Sequence, residues 1–258
     1  WGSGLYHSIA LEGNYAYAAA GRTGLDIFDV RDPGSPMRIG LYDTGGNATG
    51  VAVAGGYAYV ADGLSGLQVI DVRNPAAPVR VGGYYTSREA LGVAVVGGYA
   101  YVACLSAGLQ IIDVRNPAAP VLIGRYDTAG LAHNVAVVGS YAYVADDAAG
   151  LQVIDVSNPA APVWVGVYNT AGIAYGVAVA GDYAYVADGS AGLQVINIRN
   201  AAAPVWVGVY NTVGQAAGVA FAGGFAYVAD DDAGLQVINV ANPAAPARVG
   251  GYDTSGYA

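Results

Sequence analysis

The chain has 258 residues, of which 55% are apolar and 11% charged, with 39 glycines and a formal net charge of −9. All ten basic residues are arginines, and so acidic a balance argues against nucleic acid, whose phosphates need a basic surface. The single cysteine, Cys104, excludes an intrachain disulfide and any cysteine-rich zinc site.

In chain order, the opening Trp1-Gly2-Ser3 shows neither a basic region nor an apolar core of the kind a signal peptide carries. An aromatic pair then recurs at Tyr15/Tyr17, Tyr57/Tyr59, Tyr99/Tyr101, Tyr141/Tyr143, Tyr183/Tyr185 and Phe225/Tyr227. Each step is 42 residues, and the same step carries Gly24 to Gly66, Gly108, Gly150, Gly192 and Gly234. The second copy shows the internal order. Gly50 to Ala54 reads as a first strand, Gly55-Gly56 as a type I′ hairpin turn, and Tyr57 to Ala61 as a second strand. Gly13-Asn14, Gly139-Ser140 and Gly181-Asp182 stand at the same turn and are compatible with it. Asp62 to Gly66 forms another turn, Leu67 to Val72 a third strand, and Asn74-Pro75-Ala76-Ala77-Pro78 a break that no central strand tolerates. Val79 to Tyr84 is the fourth strand.

Four short antiparallel strands per repeat, without helical periodicity, predict an all-β fold: a six-bladed β-propeller built from 42-residue blades. The stretch from Leu91 to Ile112 carries no charge, yet its Gly97-Gly98 turn and its recurrence along the chain read as blade rather than membrane span. We expect one domain over 1–258, with blades near 8–49, 50–91, 92–133, 134–175, 176–217, and 218–258 together with 1–7. The Gly/Ala/Val-rich first strand belongs at the crowded axis, and the Tyr, Trp and Arg of the fourth at the rim. Ring closure would rest on sheet packing alone, so the first and last blades are expected to loosen first.

Tyr59-Val60-Ala61-Asp62, Gly66-Leu67-Gln68-Val69-Ile70-Asp71-Val72, Asn74-Pro75, Pro78, Val81-Gly82 and Tyr84 resemble the LVIVD-repeat family, six times over the whole chain. The resemblance implies a β-propeller and an exported or surface-attached setting, and it brings no catalytic residues to transfer. The WD40 signatures are missing.

Strand alternation sends the glycine hairpins and Asn-Pro turns to one end of each blade, the bottom. The turn after the second strand and the inter-blade loop go to the top. Asp62, Asp146, Asp147, Asp188, Asp230, Asp231 and Asp232 gather at the top, and Arg31, Arg73, Arg115 and Arg199 recur below, which predicts a polarised molecule. The recurring Asp62, Asp146, Asp188 and Asp230 are expected to accept N–H bonds within their own turns rather than to form a cation ring. Asp71, Asp113 and Asp155 give way to Asn197 and Asn239, which marks a structural acceptor. Cys104, in place of the turn Asp, reads as an inert apolar residue.

The candidate ligand-binding set lies at the top mouth: His7, Thr49, Leu91, His133 and Tyr175 in one variable column, and Glu89 in a second with Asn47 and Gln215. His7 and His133 are three repeats apart, so no shared metal is expected. Asn47-Ala48-Thr49 also matches a glycosylation sequon. At the rim, Arg38, Arg80, Leu122, Trp164, Trp206 and Arg248 occupy one column, and Leu122, Trp164 and Trp206 form a candidate protein-contact surface. Alternation would place Val163 and Val165 on one face and Trp164 on the other.

These features favour a non-enzymatic interaction scaffold with a protein partner or self-association, without catalytic residues, cofactor, metal, nucleic acid or membrane insertion. The alternatives are an engineered or excised propeller with no evolved activity, and an enzyme or small-ligand binder using the top mouth. Near-identical copies favour the first alternative, whereas the drifted first repeat and Ala201 in place of proline oppose it.

Overall fold

The computed structural model describes residues 5–254; the opening Trp1-Gly2-Ser3-Gly4 and Tyr257 lie outside the described residues. Each repeat folds into four antiparallel strands paired in sequence order, giving an all-β chain of six blades, a six-bladed β-propeller. In the second blade the strands are Gly50–Ala54, Tyr57–Ala61, Leu67–Asp71 and Val79–Tyr84, and the other blades repeat them at steps of 42. The third strand stops one residue before Val72. The Val72 N–H instead donates to the Gly56 carbonyl at 2.9 Å, which pins the segment after the third strand to the first hairpin at the bottom of the blade. At the other end, Gly63 and Ala90 pair as an isolated bridge, bringing the top turn and the inter-blade loop together.

The hairpins divide into two kinds. Gly55-Gly56, Gly97-Gly98 and Gly223-Gly224 have positive φ at both central residues, as a type I′ turn requires. Where the second residue is Asn14, Ser140 or Asp182, positive φ is confined to the glycine. Those three therefore follow the type II′ pattern instead of the shared turn the sequence suggested.

The chain forms two compact units, residues 1–125 and 126–258. In the first, Tyr17, Leu25 and Ile27 of the first blade pack against Val51, Val60 and Ile70 of the second. Tyr59, Leu67 and Val69 in turn meet Val102, Ile112 and Val114 of the third. The second unit repeats the arrangement: Tyr143, Leu151 and Val153 face Val177, Val186 and Ile196, and Tyr185, Leu193 and Val195 face Val219, Val228 and Ile238. A blade thus has a trailing face of Tyr, Leu and Val or Ile and a leading Val/Val/Ile face. Burial of both faces explains the near-continuous apolar runs, each fully buried Leu or Ile contributing about 1.5–3 kcal/mol.

A glycine sets how closely neighbouring blades approach. Gly82, buried in the fourth strand, lies against the Pro117 carbonyl of the next blade, so closely that a Cβ would overlap the oxygen. Gly40 meets Pro75, Gly166 meets Ala201 and Gly208 meets Pro243 in the same way. The contact is made by a backbone carbonyl, which is why Ala201 can replace proline there.

The fourth strand also departs from strict alternation. Ile154 pairs with Trp164 and Val153 with Gly166, so Val165 is the extra residue of a bulge. As a result Val163 is exposed while Val165 packs against the core, and the two valines do not share one environment as alternation implied.

Gly82→Ala and Gly208→Ala should each destabilise by roughly 1–3 kcal/mol through overpacking against a backbone that cannot move aside cheaply. Pro117→Ala should cost much less, since Ala201 already fills the equivalent place. Urea denaturation of the three variants checks the order.

Candidate functional site

The top of each unit is organised by a buried aspartate. Asp62, Asp146, Asp188 and Asp230 are all fully buried. Their carboxylates do not take their main bonds from their own turns, as the sequence suggested. They reach back to the loop that enters the blade. Thr44 Oγ1 donates to Asp62 Oδ1 at 2.6 Å, Thr128 to Asp146 at 2.6 Å and Thr170 to Asp188 at 2.5 Å. Gly130 and Gly172 N–H groups donate to the second oxygens of Asp146 and Asp188 at 2.8 and 2.9 Å. Burial pushes Asp62 up to about 6, against the opposing effect of the Thr44 hydroxyl. Asp146 and Asp188 are likewise raised by burial, opposed by their Thr and backbone donors. Two blades keep only part of this tie: in the second, Asp62 Oδ2 is buried without a partner, and in the sixth Gly214 N–H donates to Asp230 at 3.0 Å while Thr212 Oγ1 and Asp230 Oδ1 are buried without partners.

The third blade shows what the tie controls. Cys104 replaces the aspartate, and Arg88 replaces the loop glycine found as Gly46, Gly130, Gly172 and Gly214. Thr86 then donates to the Arg88 carbonyl at 2.7 Å, and Ser87 takes positive φ. Burial raises the Cys104 thiol to about 12, so it stays protonated and weakly nucleophilic.

Charge is less polarised than the sequence suggested. The recurring top aspartates are buried, and the bottom arginines are largely neutralised. Arg31, Arg73 and Arg115 pair with Asp29, Asp71 and Asp113, two residues earlier, and hold those carboxylates below the usual range. Each Asp also accepts the arginine's backbone N–H at 3.0 Å. Asn197 and Asn239 accept the equivalent N–H groups of Arg199 and Ala241, which accounts for the Asp/Asn interchange.

The mouth residues fall into local groups. In the first unit His7 and Asn47 flank Gly21. Thr49 Oγ1 lies 3.0 Å from the Leu91 carbonyl and 3.2 Å from those of Ala61 and Ala90, so its hydroxyl serves the backbone. Leu91 is half-buried and Glu89 exposed. In the second unit the His133 and Tyr175 rings meet edge to face, centroids 5.1 Å apart. Burial lowers the His133 pKa, with Asp147 and Asp146 opposing, so the imidazole is mostly neutral at pH 7. A separate loop pair of the second unit forms an open cleft of about 400 Å³ lined by Val213, Gly214, Gln215, Asp231, Asp232 and Ala233. Among the described residues, no three His, Cys, Asp or Glu side chains converge as a metal site.

The rim column is explained by a partner on the third strand. Arg80 Nε donates to Gln68 Oε1 at 2.6 Å, and Arg248 to Gln236 at 2.5 Å. The indole N–H groups of Trp164 and Trp206 donate to Gln152 and Gln194 at 3.1 and 3.0 Å. Arginine and tryptophan interchange because each offers an N–H at the same place. Leu122 offers none; it is half-buried against the core cluster of Ile112 and Val114, and Gln110 turns to the Thr86 carbonyl. The structure therefore separates Leu122 from the more exposed tryptophans.

Thr170→Val should destabilise by about 1.5–3 kcal/mol at pH 7, because it removes a charge-assisted hydrogen bond from a buried carboxylate. Folding raises the Asp62 pKa from 3.8 to about 6, so the native state holds that proton more tightly than the unfolded chain. Its contribution favours the fold below the lower value and is lost as pH rises towards the upper one. Asp62→Asn should therefore flatten the pH dependence of thermal stability between these values, relative to the unmodified chain.

Comparison with known proteins follows from this geometry. Solved structures similar to the chain include a functionally unknown protein from Desulfotomaculum acetoxidans DSM 771, at 13% identity and TM-score 0.80, covering 95% of this chain and 84% of that one. The Cps50 (Swd1) β-propeller domain from Myceliophteria thermophila is 13% identical with TM-score 0.76, covering 99% and 88%. A chain of the Mitotic Checkpoint Complex is 14% identical with TM-score 0.74, covering 93% and 77%. These likenesses concern the fold. Comparison with curated protein sequences finds no match. The LVIVD repeat matches residues 3–44, 45–86, 87–128, 129–170, 171–212 and 213–254, and the chain belongs to the LVIVD-repeat family.

Proposed function

We propose that this protein is a non-catalytic interaction scaffold that recognises a protein through the rim of its second unit. The observation that carries the reading is the state of the two tryptophans. Each indole N–H is satisfied by its glutamine, yet Trp164 and Trp206 both remain 46% exposed beside Val163 and Val205, which are 60% exposed. An aromatic side chain held in one orientation, with apolar surface around it, is the kind of anchor that dominates protein interfaces. The non-catalytic part of the reading is supported by how the reactive groups are used. The buried aspartates tie loops to blades, and the Cys104 thiol is pushed far above neutrality. One similar propeller comes from the structure of a multi-protein assembly, the Mitotic Checkpoint Complex. An exported or surface-attached setting goes with the proposal and rests on the family resemblance alone.

A small-ligand site at the top mouth is the second reading, favoured by the His133–Tyr175 contact and the cleft bearing Asp231 and Asp232.

The test of the rim is Trp164→Arg together with Trp206→Arg. Arginine keeps the bond to glutamine, as Arg80 does with Gln68, so thermal stability should change little. Pull-down from the source organism should lose its partner. If the double variant retains every partner of the unmodified chain, the rim is packing only.

A further inference from the structure

In the second and third blades the bottom of the sheet holds a guanidinium between two groups. Arg73 donates its Nε–H to both Asp71 oxygens at 3.0 Å and pairs with Oδ2 through Nη2. Its guanidinium carbon lies 5.5 Å from the centroid of the Tyr57 ring. Arg115 repeats both contacts, with Asp113 and, at 5.4 Å, with Tyr99. Carboxylate and ring are direct cross-strand partners, Tyr57 with Asp71 and Tyr99 with Asp113, so the sheet itself sets the two groups side by side.

The fourth blade keeps this seat and loses the cation. Tyr141 and Asp155 pair across the same two strands, but Ser157 stands where the other blades have Arg73 and Arg115. Asp155 is served by Ser157, whose backbone N–H donates at 2.8 Å, and these bonds hold the carboxylate below its ordinary value and ionised at neutral pH. Among the described residues no arginine pairs with it. The turn has changed as well. A Cβ at Gly56 or Gly98 would overlap the arginine stem, and Ser140 carries one at the matching position. Later blades dismantle the seat instead: Asn197 replaces the carboxylate in the fifth, and Phe225, Asn239 and Ala241 replace all three groups in the sixth.

We propose that Tyr141 and Asp155 bind the guanidinium group of an arginine presented by a partner protein, which fills from outside the place that Arg73 and Arg115 fill within their own blades. Those two copies of the seat identify the occupant's chemistry. A carboxylate beside a ring face favours guanidinium over ammonium, because the flat group can pair with one and stack on the other. Val163, paired with Asp155 on the fourth strand and 60% exposed, offers apolar surface to the arginine's methylenes. Charge points the same way. Residues 126–258 carry ten aspartates against two arginines, so this unit draws a cationic segment and repels an anionic one. The seat uses neither tryptophan: Trp164 pairs with Ile154, and its indole is bound to Gln152.

Carbon-detected NMR of the full chain, titrated with N-acetyl-arginine amide at fixed ionic strength, tests this without altering the tryptophan rim. The Asp155 carboxyl and Tyr141 ring signals should shift saturably, with half-saturation on the order of 100 mM for so exposed a contact. The Asp71 and Asp113 carboxyls, already occupied, should move no more than in sodium chloride. N-acetyl-lysine amide should bind more weakly. Ser157→Arg and Asp155→Asn should each abolish the Tyr141 response, the first by filling the seat and the second by removing its charge. Both substitutions have precedents in the chain: Arg31 pairs with Asp29 although Asn14 holds the turn position of Ser140, and Asn197 accepts the matching N–H. Thermal melts should therefore show both variants folded. The proposal is overturned if Asp155 and Tyr141 respond no more than Asp71 and Tyr57, if the lysine amide shifts them equally, or if the Ser157→Arg variant still responds.

Discussion

The top loops of the second, fourth and fifth blades depend on a hydrogen bond between a buried aspartate and a threonine eighteen residues before it. That bond ties the loop entering a blade to the turn between the blade's second and third strands. At the opposite end, a buried glycine in the fourth strand lets the carbonyl of the next blade's bottom turn lie against it at close range. Two ties at two ends leave little freedom in the connecting segments. In the second, fourth and fifth blades, where both ties are present, this gives a physical reason for holding the 42-residue step.

The exceptions support the same account. When Cys104 removes the carboxylate, the glycine that would sit against it becomes Arg88 and the threonine turns to a carbonyl within its own loop. The two substitutions fall in the same blade, where Thr86 stays beside the Cys104 thiol but gives its hydroxyl hydrogen to the Arg88 carbonyl. In the sixth blade the aspartate and threonine are both present but leave one oxygen each unsatisfied, and Asp62 of the second blade leaves one as well. The strands of that blade are also less buried than those of the fifth.

Much of the fold was legible because strands and turns are local. Glycine pairs between apolar runs, prolines after the third strand and the period itself located the strands to within one residue. The partners of side chains were harder to read, since they lie in other segments. Thr44, Thr86, Thr128, Thr170 and Thr212 recur as regularly as the aspartates, yet they sit in a loop and gave no reason to pair them with Asp62 or Asp188. The charge polarity was misjudged for the same reason, because burial of the top aspartates and pairing of the bottom arginines both depend on folding. The bulge at Val165 defeated simple alternation. At the rim, the column of Arg and Trp looked like a mixture of chemistries until Gln68, Gln152 and Gln194 showed one shared demand for an N–H donor.

Two sets of aspartates with opposite roles therefore recur in one chain, one buried beneath the top loops and one half-buried beside arginine or backbone donors at the bottom. Carboxyl-carbon NMR titration of the folded protein tests that distinction most directly. Asp62, Asp146 and Asp188 should titrate above the ordinary aspartate value of 3.8, and Asp71, Asp113 and Asp155 below it. If the two sets titrate together near that value, the top aspartates are not buried loop ties and the account of the top surface is wrong.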